Sequence, residues 1–319
     1  MNAQQAGGLN GPHGGGHHGQ GLNVPKKNNR IYVLILLIFI FVEYYFYVFE
    51  VMPKYKNPEN DNLISNLLIV FHILVCLVLA SLFCITSTNP GEVPHNWGYH
   101  INDDESKRRR YCLICNAYKP ERSHHCSVCD KCILNMNLHC LWVNNCIGFY
   151  NRKFYMQLLL YGSISSLCIV ITEGYLIIGT YFKYYSGINL KKLHIICYIV
   201  ILIVTYRIMK CTIFQFKLVF KNSTSIESLD EDSKNYYAKF NIGCKQNWEQ
   251  VFGKNPLLWF CPLPLESGKP VGDGLTWKIK EQIGDSGFRS NDSKNIGINN
   301  FDNNMNINGN FSPITKKDL

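Results

Sequence analysis

Residues Tyr111 to Asn151 read YCLICNAYKPERSHHCSVCDKCILNMNLHCLWVNNCIGFYN. Seven of the chain's 14 cysteines fall here, between Cys112 and Cys146, in the pattern C-x2-C-x9-H-C-x2-C-x2-C-x6-H-C-x5-C. Paired C-x2-C units with histidines close by are zinc spacing. A structural zinc takes four tetrahedral ligands, so two ions take eight. The block offers seven cysteines together with His124, His125 and His139. Two sites made from six cysteines and two histidines leave one cysteine over, and the spacing alone does not say which, nor how the ligands group. Few apolar residues recur periodically in this stretch, and two zincs supply the missing folding energy, about 10 kcal/mol each at neutral pH. A purely structural zinc ribbon and an iron–sulfur site are the alternatives; histidines recurring at ligand spacing weigh against the cluster.

Outward from the block, the sequence turns apolar on both sides. Four runs reach the roughly 20 residues that a membrane helix needs: 31–49, 63–86, 154–182 and 193–220. Soluble core helices rarely stay apolar on every face for this length. The fold class expected is therefore an all-α integral membrane protein with four transmembrane helices and a cysteine-rich domain, 87–153, between the second and third. Glu43, Glu173, Arg207 and Lys210 interrupt the runs. Charges at such depth face a bundle interior or wet cavity, or snorkel to the border, as expected for Arg207 and Lys210.

Lysine and arginine counts set the orientation. Lys26, Lys27 and Arg30 precede the first run; Lys107, Arg108, Arg109, Arg110, Lys119, Arg122, Lys131, Arg152 and Lys153 lie between the second and third. Only Lys54 and Lys56 follow the first run, and Lys183, Lys191 and Lys192 follow the third. The bias places both termini and the central block in the cytosol, where cysteines are thiols or metal ligands rather than disulfides. The net charge of +9, concentrated beside apolar runs, points to anionic lipid or a phosphate-bearing ligand and not to nucleic acid. Residues 1–30, rich in Gly, His, Asn and Gln, lack a signal-peptide core and read as a disordered tail in which His13, His17 and His18 are weak metal donors. Residues 221–267 form a cytosolic C-terminal segment, and the Asn-rich stretch 268–319 reads as a second disordered tail.

The block resembles the cysteine-rich domain of DHHC-type protein S-acyltransferases, the palmitoyltransferases. CLIC, KPERSHHCSVCDKCIL, the HC followed by Trp142, and NNCIGFYNRKF carry the likeness. Thr88-Asn89-Pro90-Gly91 is similar to that family's Asp-Pro-Gly motif, and Thr224-Ser225-Ile226-Glu227 to its Thr-Thr-x-Glu motif. Asn241-Ile242-Gly243 with Asn247, Trp248 and Val251-Phe252-Gly253 is similar to its C-terminal segment, so the likeness runs from about residue 30 to 262. The resemblance implies two structural Zn2+ sites, one of Cys112, Cys115, His125 and Cys132, the other of Cys126, Cys129, His139 and Cys146. Cys140 is then the acyl-accepting nucleophile. Pro90, Gly91, Thr224, Ser225, Glu227 and Asn247 are expected to have structural roles.

The family's nucleophile follows Asp-His-His; here the tetrad is Asn137-Leu138-His139-Cys140, and Leu141 replaces the usual proline. His139 keeps the zinc ligand, while the general base position is Leu138 and its orienting aspartate is Asn137. An unperturbed thiol is a few per cent thiolate at neutral pH, and a positioned base contributes about 10²–10⁴-fold. The implied activity is S-palmitoylation, slowed but not abolished. The donor is acyl-CoA, such as palmitoyl-CoA, and the partners are membrane-associated proteins with cytosolic cysteines, at Golgi or ER membranes. His124 is the one candidate substitute base. Gly162, Ser163, Ser165 and Ser166 leave room for an acyl chain or for helix packing. A catalytically weak membrane zinc scaffold and a zinc-stabilised transporter accessory are the competing expectations.

Overall fold

Helix α1 (Arg30–Tyr45) continues through a π-helical turn, Phe46–Val51, and a 3-10 turn, Met52–Tyr55. It is followed by α2 (Asp61–Ser87), and after the cysteine block by α3 (Arg152–Tyr181) and α4 (Lys192–Phe220). The computed structural model describes residues 30–55, 61–95, 97–98, 110–181, 192–230 and 234–280. The Gly/His-rich tail with His13, His17 and His18, the cations Lys56, Lys107, Arg108, Arg109, Lys183 and Lys191, and residues 281–319 lie outside the described residues. Among the described residues, the segments Arg30–Lys54, Asp61–Ser87, Arg152–Gly179 and His194–Phe220 are long and apolar enough to cross a membrane. The shortest has 25 residues, about 38 Å of helix at 1.5 Å per residue, which exceeds the hydrocarbon thickness.

Their outer faces carry exposed Ile31, Ile38, Phe41, Ile69, Phe83, Ile171 and Ile203, as lipid-facing helices do. Inside are two apolar clusters. Tyr47, Val51, Met52, Phe71, Leu176 and Ile201 close the bundle away from the cysteine block. Leu82, Ile85, Phe154 and Tyr155 meet Val143 and Ile147 of the block itself. Ser163 hydrogen-bonds Thr212 across α3 and α4 at 2.8 Å, while Ser165 and Ser166 bond back to their own helix. A Cβ on Gly162 would meet open space. Glu173 is buried and electrostatically coupled to Glu43 and Lys54, the interior placement expected of an intramembrane carboxylate. Arg207 and Lys210 face outward.

The cysteine block holds six three-residue strands: β1 (Arg110–Cys112), β2 (Ala117–Lys119), β3 (His124–Cys126), β4 (Lys131–Ile133), β5 (Leu138–Cys140) and β6 (Asn145–Ile147). They pair as three separate antiparallel hairpins. Isolated two-stranded hairpins are marginal in water, so these need another source of stability. Beyond α4 come α5 (Ser225–Leu229), α6 (Lys234–Ala238) and α7 (Cys244–Phe252). Asn222, at φ +50°, ends α4 in a Schellman turn, with Ser223 N–H donating to Leu218 O at 2.9 Å and Asn222 N–H to Val219 O at 3.0 Å.

The chain then folds back along the bundle. Gln157 donates to Trp259 O at 3.0 Å, Cys84 to Pro262 O at 3.1 Å, and Tyr161 to Phe260 O. The expected Asn-rich tail begins at 268, yet residues 268–280 pack against the protein. Asp273 accepts the Leu275 and Thr276 amides, both at 2.9 Å, and the turn delivers Trp277 onto the Arg122 guanidinium, 4.4 Å from the ring centre. One aromatic ring over a buried cation gives this stretch an anchor that composition does not reveal.

Candidate functional site

The turn of each C-x2-C unit is built alike. Cys115 N–H points at Cys112 Sγ and Cys129 N–H at Cys126 Sγ, both at 3.4 Å. The next residues, Asn116 and Asp130, take positive φ of 50° and 53°, a conformation that Asn and Asp tolerate better than other side chains. Opposite each knuckle stands a cross-strand pair, His125 facing Cys132 in β3–β4 and His139 facing Cys146 in β5–β6. The outcome is two quartets, Cys112, Cys115, His125, Cys132 and Cys126, Cys129, His139, Cys146, whose donor atoms lie within 4.8 Å of one another. Each offers three sulfurs and one imidazole nitrogen, a Cys3His set that suits tetrahedral zinc. Nδ1 is the inward nitrogen in both, 3.2 Å from Cys115 Sγ and 3.4 Å from Cys129 Sγ. Successive strand residues point to opposite faces, so hairpin β3–β4 gives His125 and Cys132 to one quartet and Cys126 to the other. The shared hairpin braces the two sites together.

The same alternation fixes Cys140. In β5, His139 turns to its quartet, and Leu138 and Cys140 turn the other way. Both pack on the apolar cluster of Leu82, Ile85, Phe154 and Tyr155 at the end of the bundle. Cys140 therefore belongs to neither quartet, and Leu138 shares its face. Burial pushes the Cys140 thiol above its usual range, although the amides of Val143 and Trp142 act to lower it; the Cys211 thiol raises it further. Cys211 lies 3.7 Å from the Tyr155 hydroxyl. His124 sits elsewhere, among Arg110, Glu227, Lys119 and Asp230, with a pKa pushed down to about 4 by burial first and then by Arg110. Two cations at the start of α3 point to the C-terminal segment, Arg152 donating to Ser223 O at 2.6 Å and Lys153 to Gly268 O at 3.4 Å.

Asn137 is fully buried and hydrogen-bonded through both its amide oxygen and its amide nitrogen. Its Oδ1 accepts from Ser225 N–H at 2.7 Å and Ser225 Oγ at 3.0 Å, and its Nδ2 donates to Gln215 Oε1 at 3.0 Å. The residue ties β5 to α4 and to the start of α5. Pro90 and Gly91 join the block to α2: Leu134 N–H donates to Gly91 O at 2.8 Å and Tyr150 N–H to Pro90 O at 3.2 Å. Gly91 has φ +106°, and a Cβ on Gly148 would collide with the Pro90 carbonyl. Asn89 Oδ1 holds the turn by accepting from Gly91 N–H at 2.8 Å.

Thr224 and Glu227 form a capping box on α5. Glu227 does more, receiving the Arg122 guanidinium in a fork, Nε to Oε1 at 2.7 Å and Nη2 to Oε2 at 2.9 Å. Arg122 also donates to Asn222 Oδ1 at 3.0 Å and Asn222 O at 2.7 Å, and lies under Phe240 and Trp277. Arg122, counted from sequence among the cations of the central segment, is fully buried. Asn247 closes the end of α4, donating to Phe220 O and to Asn241 Oδ1, both at 2.7 Å. The roles of Arg122, Asn222 and Trp277 have no spacing signature; only the paired carboxylate, far along the chain, discloses them.

Comparison with known proteins agrees with this geometry. The family model described as DHHC palmitoyltransferase matches residues 105–232. Probable protein S-acyltransferase 13 of Arabidopsis thaliana is 30% identical over 278 residues, covering 78% of this chain and 91% of that protein. Palmitoyltransferase ZDHHC20 of Homo sapiens is 30% identical over 288 residues, covering 78% of this chain and 76% of that protein. With four membrane-length helices around a two-quartet cysteine block, and relatives of this extent, the chain belongs to the DHHC palmitoyltransferase family.

Proposed function

We propose that this chain is a protein-cysteine S-acyltransferase that passes a long-chain acyl group from acyl-CoA to substrate proteins through a thioester on Cys140. The observation that carries the reading is that Cys140 alone among the block's cysteines stands outside both quartets, with its thiol against the apolar end of the bundle. In the first step the Cys140 thiolate attacks the acyl-CoA carbonyl carbon. The carbon–sulfur bond to CoA breaks, and CoA leaves as a thiolate that takes up the proton Cys140 gave up. In the second step a substrate thiolate attacks the Cys140 thioester and Cys140 departs and is reprotonated. The apolar cluster beside the thiol excludes water, which protects the thioester from hydrolysis, and the acyl chain lies among the four helices.

Zinc in the two quartets serves structure, because four protein ligands leave no open coordination position. Cys112, Cys115, His125 and Cys132 hold one ion, and Cys126, Cys129, His139 and Cys146 the other. Pro90, Gly91, Thr224, Ser225, Glu227 and Asn247 position the domain on the bundle. The lysine and arginine bias supports a cytosolic block and cytosolic termini, and membership of the family supports Golgi or ER membranes.

Leu138 and Asn137 make the enzyme slow, since Leu138 faces the thiol and accepts no proton. The second reading, a zinc scaffold that holds acyl chains or partners without turnover, is favoured by the raised Cys140 thiol. Incubating the purified full chain with radiolabelled palmitoyl-CoA decides between them. Hydroxylamine-sensitive label on the native protein and none on Cys140→Ala is the expected result; no label on the native protein leaves only the scaffold.

A further inference from the structure

Lys153 stands in the first turn of α3 and is 3% exposed. Its ammonium meets one hydrogen-bond partner, the Gly268 carbonyl, at 3.4 Å, and lies 5.9 Å from the centre of the Phe154 ring. No carboxylate lies within ion-pair distance of it among the described residues. The titratable groups acting on it are the thiols of Cys84 and Cys261, and Cys84 donates its proton to Pro262 O, so it stays neutral. The helix start adds partial positive charge at this point, and a lysine there runs against the usual preference for acids. A buried unpaired ammonium is costly unless an anion joins it.

Lys153 lines a cleft of about 280 Å³ between the end of α2, the start of α3 and the returning C-terminal segment. Tyr150 and Lys269 give it a polar side, and Phe154, Leu263 and Leu265 an apolar one. Lys269 already pairs with Glu266 at 2.6 Å, so Lys153 is the cation left to answer. Leu263 and Leu265 are exposed on a segment whose neighbours bond to Gln157 and Tyr161 of α3, at the level of the membrane helix. The volume is at the lower limit for a ligand pocket, enough for a headgroup whose chains continue over the apolar rim.

We propose that this cleft binds the phosphate of an anionic phospholipid, with Lys153 as its counter-ion and Leu263 and Leu265 against the acyl chains. Phe154 is common to this cleft and to the cluster beside Cys140, but the site stands whether or not the chain transfers acyl groups. The test uses the full chain in neutral detergent, with fluorescent phosphatidate as probe and dioctanoyl phosphatidate, dioctanoyl phosphatidylcholine, inorganic phosphate and coenzyme A as competitors. Dioctanoyl phosphatidate displaces the probe, and the other three do so far more weakly. Lys153→Gln weakens binding about tenfold, the loss of one charge-assisted contact, while Lys153→Arg retains it. Zinc content serves as the folding control. Should Lys153→Gln fail to fold, Gly268→Ala carries the test, because its Cβ comes within 2.9 Å of the Lys153 ammonium, the end of a flexible side chain, and otherwise within 3.3 and 3.4 Å of Leu258; weaker binding is expected. Unchanged affinity in a folded variant overturns the site, and displacement by inorganic phosphate or coenzyme A as strong as by phosphatidate overturns the lipid assignment.

Discussion

At the level of single residues, the proposed chemistry turns on Leu138 and Cys140 of β5 and on Asn137 just before it. Leu138 and Cys140 share a face because they are two residues apart in an extended strand, so a base at 138 would stand beside the thiol. Changing Leu138→His with Asn137→Asp should raise the rate of Cys140 acylation by about 10²–10⁴-fold, the usual contribution of a positioned base, measured as label per minute from palmitoyl-CoA. Asn137→Asp is sterically quiet: the new carboxylate keeps the Ser225 amide, and Gln215 turns its amide to donate where it now accepts. No rise in rate would show that the missing base is not what limits the protein. A second expectation concerns pH. Burial holds the Cys140 thiol above its ordinary range, so the thiolate fraction is small at neutral pH and grows with pH below the thiol pKa. Acylation of the native chain should therefore climb nearly tenfold per pH unit above about pH 7; a rate flat over that interval contradicts a thiolate-limited step.

Among the elements, the weak members are the three hairpins and the short helix α5, and each is held by something outside itself. For α5 it is the Arg122 fork on Glu227, buried on both sides. Removing one partner leaves a buried charge uncompensated and costs about 3–5 kcal/mol. Glu227→Ala should thus lower the unfolding midpoint sharply, whereas Thr224→Ala, which loses only the cap, costs about 1 kcal/mol. Comparable midpoints for the two would mean that the fork contributes little. Trp277 covers the same guanidinium. Truncation after residue 268 should lower thermal stability relative to truncation after 280. This boundary is illegible in composition because the surrounding residues are those of a flexible tail, and one ring overrides them.

For the whole molecule, the decisive arrangement is a membrane bundle carrying a domain too poor in apolar residues to fold alone. The braced quartets predict two zincs per chain by metal analysis. Cys140→Ala should keep both, and Cys129→Ala should lose metal and acylation together. A strong chelator should unfold the block while far-ultraviolet circular dichroism still reports the membrane helices, whose backbone hydrogen bonds lie within each helix and do not depend on metal. Loss of metal from Cys140→Ala would place that thiol among the ligands and remove the proposed nucleophile.

By itself the sequence determined the number of membrane-length helices, their place around the cysteine block, and a supply of ligands for two zincs. Those are properties of run length and local spacing, which a one-dimensional pattern carries. Only the tertiary structure decided that Cys140 faces the bundle, that Asn137 is spent on Ser225 and Gln215, and that Arg122 is buried against a carboxylate 105 residues away. The physical reason is that a buried charge or thiol is defined by what surrounds it in space. A pattern that places Arg122, Arg152 and Lys153 among ordinary basic flanks cannot register that folding removes all three from water.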